Sequence, residues 1–319
     1  MAWALSVWSN FAKVLWRARA GGWLWLLVVA PGTLLAGPAT LGPGSHELTL
    51  QHQGRERGVI VHVPASYRAD RPVPLVLALH GGGGSMDVMA RDRLYGLVSQ
   101  SDASGWIVVF PNGHSRLRSG KFATWNAGIC CGGARDSGSD DVGFLRAVVT
   151  EVQRRLAIDP KRIFATGMSN GGMMSYRLAC EASDVFRAIA AVAGTDGTTT
   201  CQPGRPVPVF HIHARDDDRV LFNGGSGSAS DTHADFVSVP VTVDKWARLN
   251  GCSGPSQRVL ERPGVVCETR SGCQGGAEVR LCVTDTGGHS WPGGRKALGG
   301  KGSTALDATA EIWAFFGRQ

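Results

Sequence analysis

The sequence predicts an α/β fold, a mostly parallel sheet with helices on both faces. Two observations carry that prediction. Short apolar runs rich in Val, Ile and Leu alternate along the chain with helix-like stretches, as buried parallel strands and their crossovers do. One such run, Arg162-Ile163-Phe164-Ala165-Thr166, passes through Gly167-Met168-Ser169-Asn170-Gly171 into the helix-like Gly172-Met173-Met174-Ser175-Tyr176-Arg177-Leu178.

In chain order, Glu47–Leu50 and Gly58–Val63 read as an opening antiparallel hairpin. Pro74–His80 is the most apolar strand beyond the N-terminal segment, and Gly81-Gly82-Gly83-Gly84-Ser85 follows it. A helix is expected near Val88–Ser101, then a strand over Trp106–Phe110. The long irregular stretch Pro111–Gly138 carries Trp125-Asn126 and Cys130-Cys131, and loops of that length in compact domains are often functional. From Asp140 to Leu156 the stripe Val142, Leu145, Val148, Val149, Val152, Leu156 predicts a helix, with Asp140 and Asp141 favouring its positive end. Ile189–Ala193, Val207–His213 and Val279–Val283 read as further strands, and a helix around Ala305–Phe316 closes the chain.

Residues 1–39 hold no acid, three bases (Lys13, Arg17, Arg19), five of the ten tryptophans and the apolar stretch Trp23–Ala36. This reads as a signal peptide over 1–39, with cleavage near Ala36–Ala39 and an uncleaved anchor as the competing reading. Residues 40–319 are then expected to form one α/β domain, secreted to the periplasm or outside the cell. Without the leader the formal charge falls from +7 to +4, spread along the chain with no basic block. Nucleic-acid binding is therefore not expected, nor stable membrane association after cleavage. All eight cysteines lie beyond the leader and imply disulfides. Cys180 is expected to reach Cys201, and Cys252, Cys267, Cys273 and Cys282 to pair among themselves. Cys130 and Cys131, being adjacent, are not expected to bridge each other.

A serine on a tight strand-to-helix turn has its hydroxyl exposed above the sheet, with unpaired helix N–H groups beside it. Ser169 is thus a candidate nucleophile. It needs a base, and the base needs a group that fixes its tautomer. In hydrolases built on open α/β sheets both come later, on loops after later strands. Asp216-Asp217-Asp218 follows the Val207–His213 strand, leaving the acid open among the three. His289 lies in Thr286-Gly287-Gly288-His289-Ser290-Trp291-Pro292 and is the candidate base. The N–H groups of Asn170 and Gly82 are the candidate oxyanion donors. Trp125 and Trp291, both on loops, are expected to wall the substrate slot. No cofactor and no metal is expected. A competing metal-dependent mechanism would use His211 and His213, two apart on one strand face, with the nearby aspartates.

The combination Leu79-His80-Gly81-Gly82-Gly83-Gly84, Trp125-Asn126-Ala127-Gly128, Asp140-Asp141-Val142-Gly143-Phe144, Gly167-Met168-Ser169-Asn170-Gly171-Gly172, Asn223-Gly224-Gly225 and Gly287-Gly288-His289-Ser290-Trp291-Pro292-Gly293-Gly294 resembles the polyhydroxybutyrate depolymerase family of secreted esterases. That family is related to the feruloyl and acetylxylan esterases of carbohydrate esterase family 1. The resemblance spans about Leu48 to Phe316. It implies an α/β-hydrolase fold and ester hydrolysis through an acyl-enzyme, with Ser169 as nucleophile and His289 as base. It also implies Asp217 as the acid, from the segment His213-Ala214-Arg215-Asp216-Asp217, with Asp216 and Asp218 the alternatives. Its partner is an ester substrate: a small molecule, an oligomer or a polymer. Two departures stand out. No linker and polymer-binding module follow the domain, and Met168 and Gly288 stand where tannase-like feruloyl esterases carry a disulfide. A non-catalytic binding protein and a serine exopeptidase on the same fold are the alternative readings.

Overall fold

The computed structural model describes residues 40–232, 234–296 and 302–319; the expected signal peptide lies outside the described residues. The chain contributes the strands β1 (Gly44–His52), β2 (Arg55–Val63), β3 (Val73–Leu79), β4 (Ile107–Pro111) and β5 (Ile158–Met168). It continues with β6 (Ala188–Val192), β7 (Val209–Ala214), β8 (Ser256–Arg262), β9 (Val265–Arg270) and β10 (Val279–Thr284). All ten join one sheet in the order β1-β2-β4-β3-β5-β6-β7-β10-β9-β8. The six central strands, from β4 to β10, run parallel. Antiparallel pairs close both edges: β1 with β2 on one side, β9 with β8 on the other. This is the mostly parallel sheet with helices on both faces, the α/β-hydrolase fold, that the sequence predicts.

The central strands are buried on both faces, and their side chains divide by the period of two. Leu75, Leu77, Leu79, Ala165, Ile189 and Ala191 face one core; Val76, Ala78, Phe164, Ala190 and Phe210 face the other. The first core is covered by α5 (Asp141–Arg155), α6 (Asn170–Glu181) and α7 (Val239–Leu249). The second is covered by α1 (Met86–Met89), α2 (Asp92–Tyr95), α3 (Leu97–Ser104) and α8 (Ala308–Phe316). The short α4 (Gly132–Asp136) lies within the long loop.

Several expectations need correction. The single helix near Val88–Ser101 is three short helices, because Arg91 takes an extended backbone and Gly96 a left-handed one at φ 67°. The β8–β9 hairpin and α7 have no counterpart in the sequence reading. Cys130 and Cys131 are joined to each other across a cis peptide bond that brings their Cα atoms to 3.1 Å. The other bonds, Cys180–Cys201, Cys252–Cys273 and Cys267–Cys282, follow the expected grouping. Among the described residues no cysteine is free, and no helix is long and apolar enough to cross a membrane.

Because β3, β5, β7 and β10 run parallel, the loops after them emerge at the same edge of the sheet. That gathers Gly81–Gly84, Ser169, Asp217 and His289, residues far apart in sequence, at the carboxyl ends of the strands.

Candidate active site

Ser169 is the turn between β5 and α6. Its backbone lies at φ 55° and ψ −122°, a region non-glycine residues seldom occupy. The turn is over-determined: the Ser169 N–H donates to the Val192 carbonyl at 2.8 Å, and its carbonyl accepts from Met173 N–H at 2.9 Å. The helix that follows begins at Asn170, whose N–H has no carbonyl one turn behind it within the helix.

The candidate acid and base meet across two strand ends. His289 Nδ1 lies 2.9 Å from Asp217 Oδ2 and 3.1 Å from Oδ1. The Asp217 side chain is fully buried and His289 nearly so. Burial pushes the Asp217 carboxyl up, but the His289 hydrogen bond and the neighbouring His289 and His213 outweigh it and hold the group below its ordinary value. Oδ1 is also fixed by the backbone N–H groups of Arg219 and Val220, both at 2.9 Å. Of the three consecutive aspartates, Asp217 alone faces His289. Asp216 turns instead to the histidine's loop, accepting the N–H of Gly288 at 2.7 Å and of Gly287 at 3.3 Å. The carboxylates of neighbouring residues thus fix the ring and the backbone of the same loop. Among the described residues His289 hydrogen-bonds through Nδ1 only, to Asp217, and not to Ser169. Hydroxyl-to-base contacts commonly tighten only around a substrate.

On the opposite side, the glycine run after β3 packs on the elbow. A side-chain carbon on Gly82 would lie 3.6 Å from Asn170 Cβ. Gly83 N–H donates to Ala123 O and Gly84 N–H to Gly81 O, whereas Gly82 N–H makes no hydrogen bond among the described residues. Two unspent N–H groups, from Gly82 and Asn170, thus belong to residues packed beside Ser169. An arrangement of this kind can stabilise an oxygen that gains negative charge.

Trp125 and Trp291 do not wall a slot. They are 0% and 2% exposed, and each indole N–H is satisfied internally, by His80 O at 2.9 Å and Thr309 Oγ1 at 2.9 Å. Trp125 is instead framework for the site. Asn170 Oδ1 accepts its backbone N–H, and Asn170 Nδ2 donates to its carbonyl. Beneath it Arg57 and Asp141 form a buried ion pair at 2.6 Å, with the guanidinium 3.6 Å from the Phe144 ring centre. Asp141 also accepts the Asn126 N–H at 2.7 Å. Neither the Asn170 clamp nor the Arg57 pair has a signature in sequence spacing. The large exposed aromatic near the glycine run is Phe122, 73% exposed, next to Ala123, which pairs with Gly84. It lines a cavity of about 230 Å³ together with His114, Leu117 and Lys121.

Metal binding through His211 and His213 is opposed by geometry. His211 Nε2 and His213 Nδ1 are hydrogen-bonded to each other at 3.1 Å. No cluster among the described residues brings together three groups able to hold a metal ion.

The prolyl oligopeptidase family model matches residues 103–202, which include the elbow. The chain is 34% identical over 242 residues to feruloyl esterase B of Piromyces equi, covering 73% of this chain but only 42% of that protein. With feruloyl esterase C of Emericella nidulans it shares 32% identity over 271 residues, 83% of this chain and 85% of that protein. The solved acetyl xylan esterase from Aspergillus awamori superposes with a TM-score of 0.59 over 86% of this chain and 100% of that one; at 14% identity this likeness is one of fold. Similarity above 30% identity over most of the length of an esterase, together with the α/β-hydrolase fold, makes this chain a carboxylic ester hydrolase, and it belongs to the esterase family that includes the feruloyl esterases.

Proposed function

We propose that the protein hydrolyses carboxylic esters through Ser169, His289 and Asp217 by way of an acyl-enzyme. The observation that carries this reading is the buried Asp217–His289 hydrogen bond at the same sheet edge as the Ser169 elbow. His289 takes the proton from Ser169 Oγ as that oxygen attacks the ester carbonyl. Asp217 holds Nδ1–H and offsets the positive charge that develops on the ring. The carbonyl oxygen, now negative, is received by the N–H groups of Gly82 and Asn170. His289 then returns the proton to the departing alcohol. Water, deprotonated by the same ring, splits the acyl-enzyme to release the acid and restore Ser169.

The substrate reading is an ester of an acyl or feruloyl group on a carbohydrate, in line with the named relatives, with hydroxyalkanoate oligomers as the second arm. Four disulfides fit an oxidising compartment, and with the leader-like residues 1–39 they support an extracytoplasmic location. A fluorophosphonate probe tests the mechanism: one covalent label on Ser169 in the wild type and none in Ser169→Ala. No label on the wild type refutes it. Methyl ferulate, acetylated xylan and hydroxybutyrate oligomers, assayed side by side, rank the substrate classes.

A further inference from the structure

Three buried side chains that take no part in the steps above lie in line behind Asp217. Tyr176 is on α6, the helix that begins after the nucleophile; His211 and His213 are on β7. All three are at most 1% exposed. Tyr176 Oη lies 2.7 Å from His211 Nδ1, and His211 Nε2 lies 3.1 Å from His213 Nδ1. His213 Nε2 lies 2.8 Å from the Val220 carbonyl and 3.4 Å from Asp217 Oδ2. The two imidazoles stack almost parallel, 5.2 Å between centres.

The direction of this chain follows from its end. A carbonyl and a carboxylate are both acceptors, so His213 Nε2 must carry hydrogen. Burial pushes both imidazoles below the ordinary histidine range, His211 further than His213, so each is neutral and has one N–H. His213 Nδ1 is then an acceptor, which requires hydrogen on His211 Nε2. His211 Nδ1 is an acceptor in turn, which requires Tyr176 to donate. Burial first, and the nearby Asp196 second, push the phenol well above its ordinary value, so it remains a donor. Asp196 is itself held by Trp246 Nε1 and Lys245 Nζ, each at 2.9 Å.

We propose that Tyr176, His211 and His213 are positioning residues, a one-directional hydrogen-bond chain whose last N–H donates to the Val220 carbonyl and so keeps its positive end 3.4 Å from the Asp217 oxygen closest to His289. This rests on the mechanism proposed above. Oδ1 is fixed by the backbone N–H groups of Arg219 and Val220 and Oδ2 by His289, with the His213 N–H alongside, so the carboxylate is held facing the ring. Val220 closes the arrangement: its N–H binds Oδ1 and its carbonyl accepts from His213. Of the other charged groups around this loop, Arg215 lies over Phe222 at 5.4 Å, Arg219 pairs with Asp231, Asp216 holds Gly288, and Asp218 is exposed to solvent.

Tyr176→Phe removes the hydroxyl and with it one hydrogen bond, leaving His211 Nδ1 without a donor. The chain can then reverse, turning the His213 lone pair toward Val220 and Asp217. Asp217 loses part of its compensation and holds protonated His289 more firmly. The expected result is a kcat lower by on the order of tenfold on a soluble nitrophenyl ester, an unchanged KM, and an acid limb of the kcat/KM profile moved to higher pH. His213→Gln keeps an N–H donor near the Nε2 position, and His213→Leu does not. Gln is therefore expected to retain several-fold more kcat than Leu at matched melting temperature. A Tyr176→Phe profile superimposable on wild type overturns the proposal, as does equal activity of the two His213 variants. Fluorophosphonate labelling of the wild type separates the two levels: no label refutes the serine mechanism itself, whereas a labelled wild type with an unshifted Tyr176→Phe profile refutes only the chain.

Discussion

Asn170 and Trp125 exchange two hydrogen bonds, the Trp125 N–H reaching Asn170 Oδ1 at 2.7 Å and Asn170 Nδ2 reaching the Trp125 carbonyl at 2.9 Å. Both residues are buried, so the clamp ties the Ser169 turn to the loop that runs behind the glycine run. Asn170→Ala leaves the buried Trp125 N–H unpaired, while the Trp125 carbonyl still accepts the Cys131 N–H at 3.0 Å, and should lower stability by about 2 kcal/mol. It should also lower kcat, through a looser seat for Gly82. Urea midpoints and steady-state rates measure both. An unchanged midpoint would mean that the loop repairs itself with water.

Ser169→Ala and His289→Ala should each cost about 10⁴-fold or more in turnover, with the double variant scarcely worse than either, because the two groups act as a unit. Ser169→Gly should be equally inactive yet more stable. The relief of a strained φ of 55° is worth about 1–3 kcal/mol, and added freedom in the unfolded chain takes back less than that. Thermal unfolding of the three Ser169 forms checks the order.

Asp217→Asn should cost on the order of 10⁴-fold in kcat by presenting the wrong hydrogen-bond partner to the His289 ring. Asp216→Asn should cost far less, since an amide oxygen can still accept the Gly288 N–H. A larger loss at Asp216 than at Asp217 would move the acid by one residue.

Acid should unfold the protein in two stages. His80 is buried and pushed down to about 4, its Nδ1 bonded to Gly81 O and its Nε2 accepting the Gly113 N–H. Its folded value lies below the unfolded one, so its stabilisation is complete above about pH 6.5 and is lost as pH falls toward 4, on the order of 3 kcal/mol. His211 and His213 act in the same direction. Asp217, also lowered, contributes above the ordinary carboxylate value and loses that contribution as pH falls through its folded value. Urea unfolding at pH 7.5, 6.0 and 5.0 should show stability falling throughout. His80→Gln should flatten the upper part of the slope.

Replacing Cys180 and Cys201 together by alanine opens a loop of 21 residues in separation and should cost about 3 kcal/mol. The bond joins the end of α6 to the stretch before β7, and neither end touches the site. Melting temperature should therefore fall while kcat at 25 °C holds. A selective loss of kcat would reveal a coupling between α6 and the chemistry.

The parallel core and the placing of Ser169, Asp217 and His289 on loops after strands were legible because both depend on local pattern: apolar runs, then glycines, then polar chemistry. The β8–β9 hairpin was not legible. Ser256-Gln257-Arg258-Val259-Leu260-Glu261-Arg262 is an exposed edge strand, so it carries no buried face to read. Trp125 and Trp291 depart from expectation for a related reason: a loop position does not guarantee access, because a loop that satisfies an indole N–H internally can bury the whole ring. Asp141 reads as a favourable charge at a helix start, but its buried partner Arg57 lies on β2, 84 residues away, and spacing along the chain cannot reveal such a meeting.

The glycines around the elbow bear on how such a motif should be interpreted. A side-chain carbon on Gly171 would run into the carbonyls of Leu79 and His80, and one on Gly194 into the carbonyl of Ser169. Three backbone segments are in contact there with nothing between them. Those positions would stay glycine even in a descendant that had lost its base and hydrolysed nothing. The glycines of G-x-S-x-G therefore record how closely β3, β5 and β6 approach one another. The claim that a relative is an active enzyme has to rest on the residues proposed to do the chemistry, Ser169, Asp217 and His289, and not on these glycines.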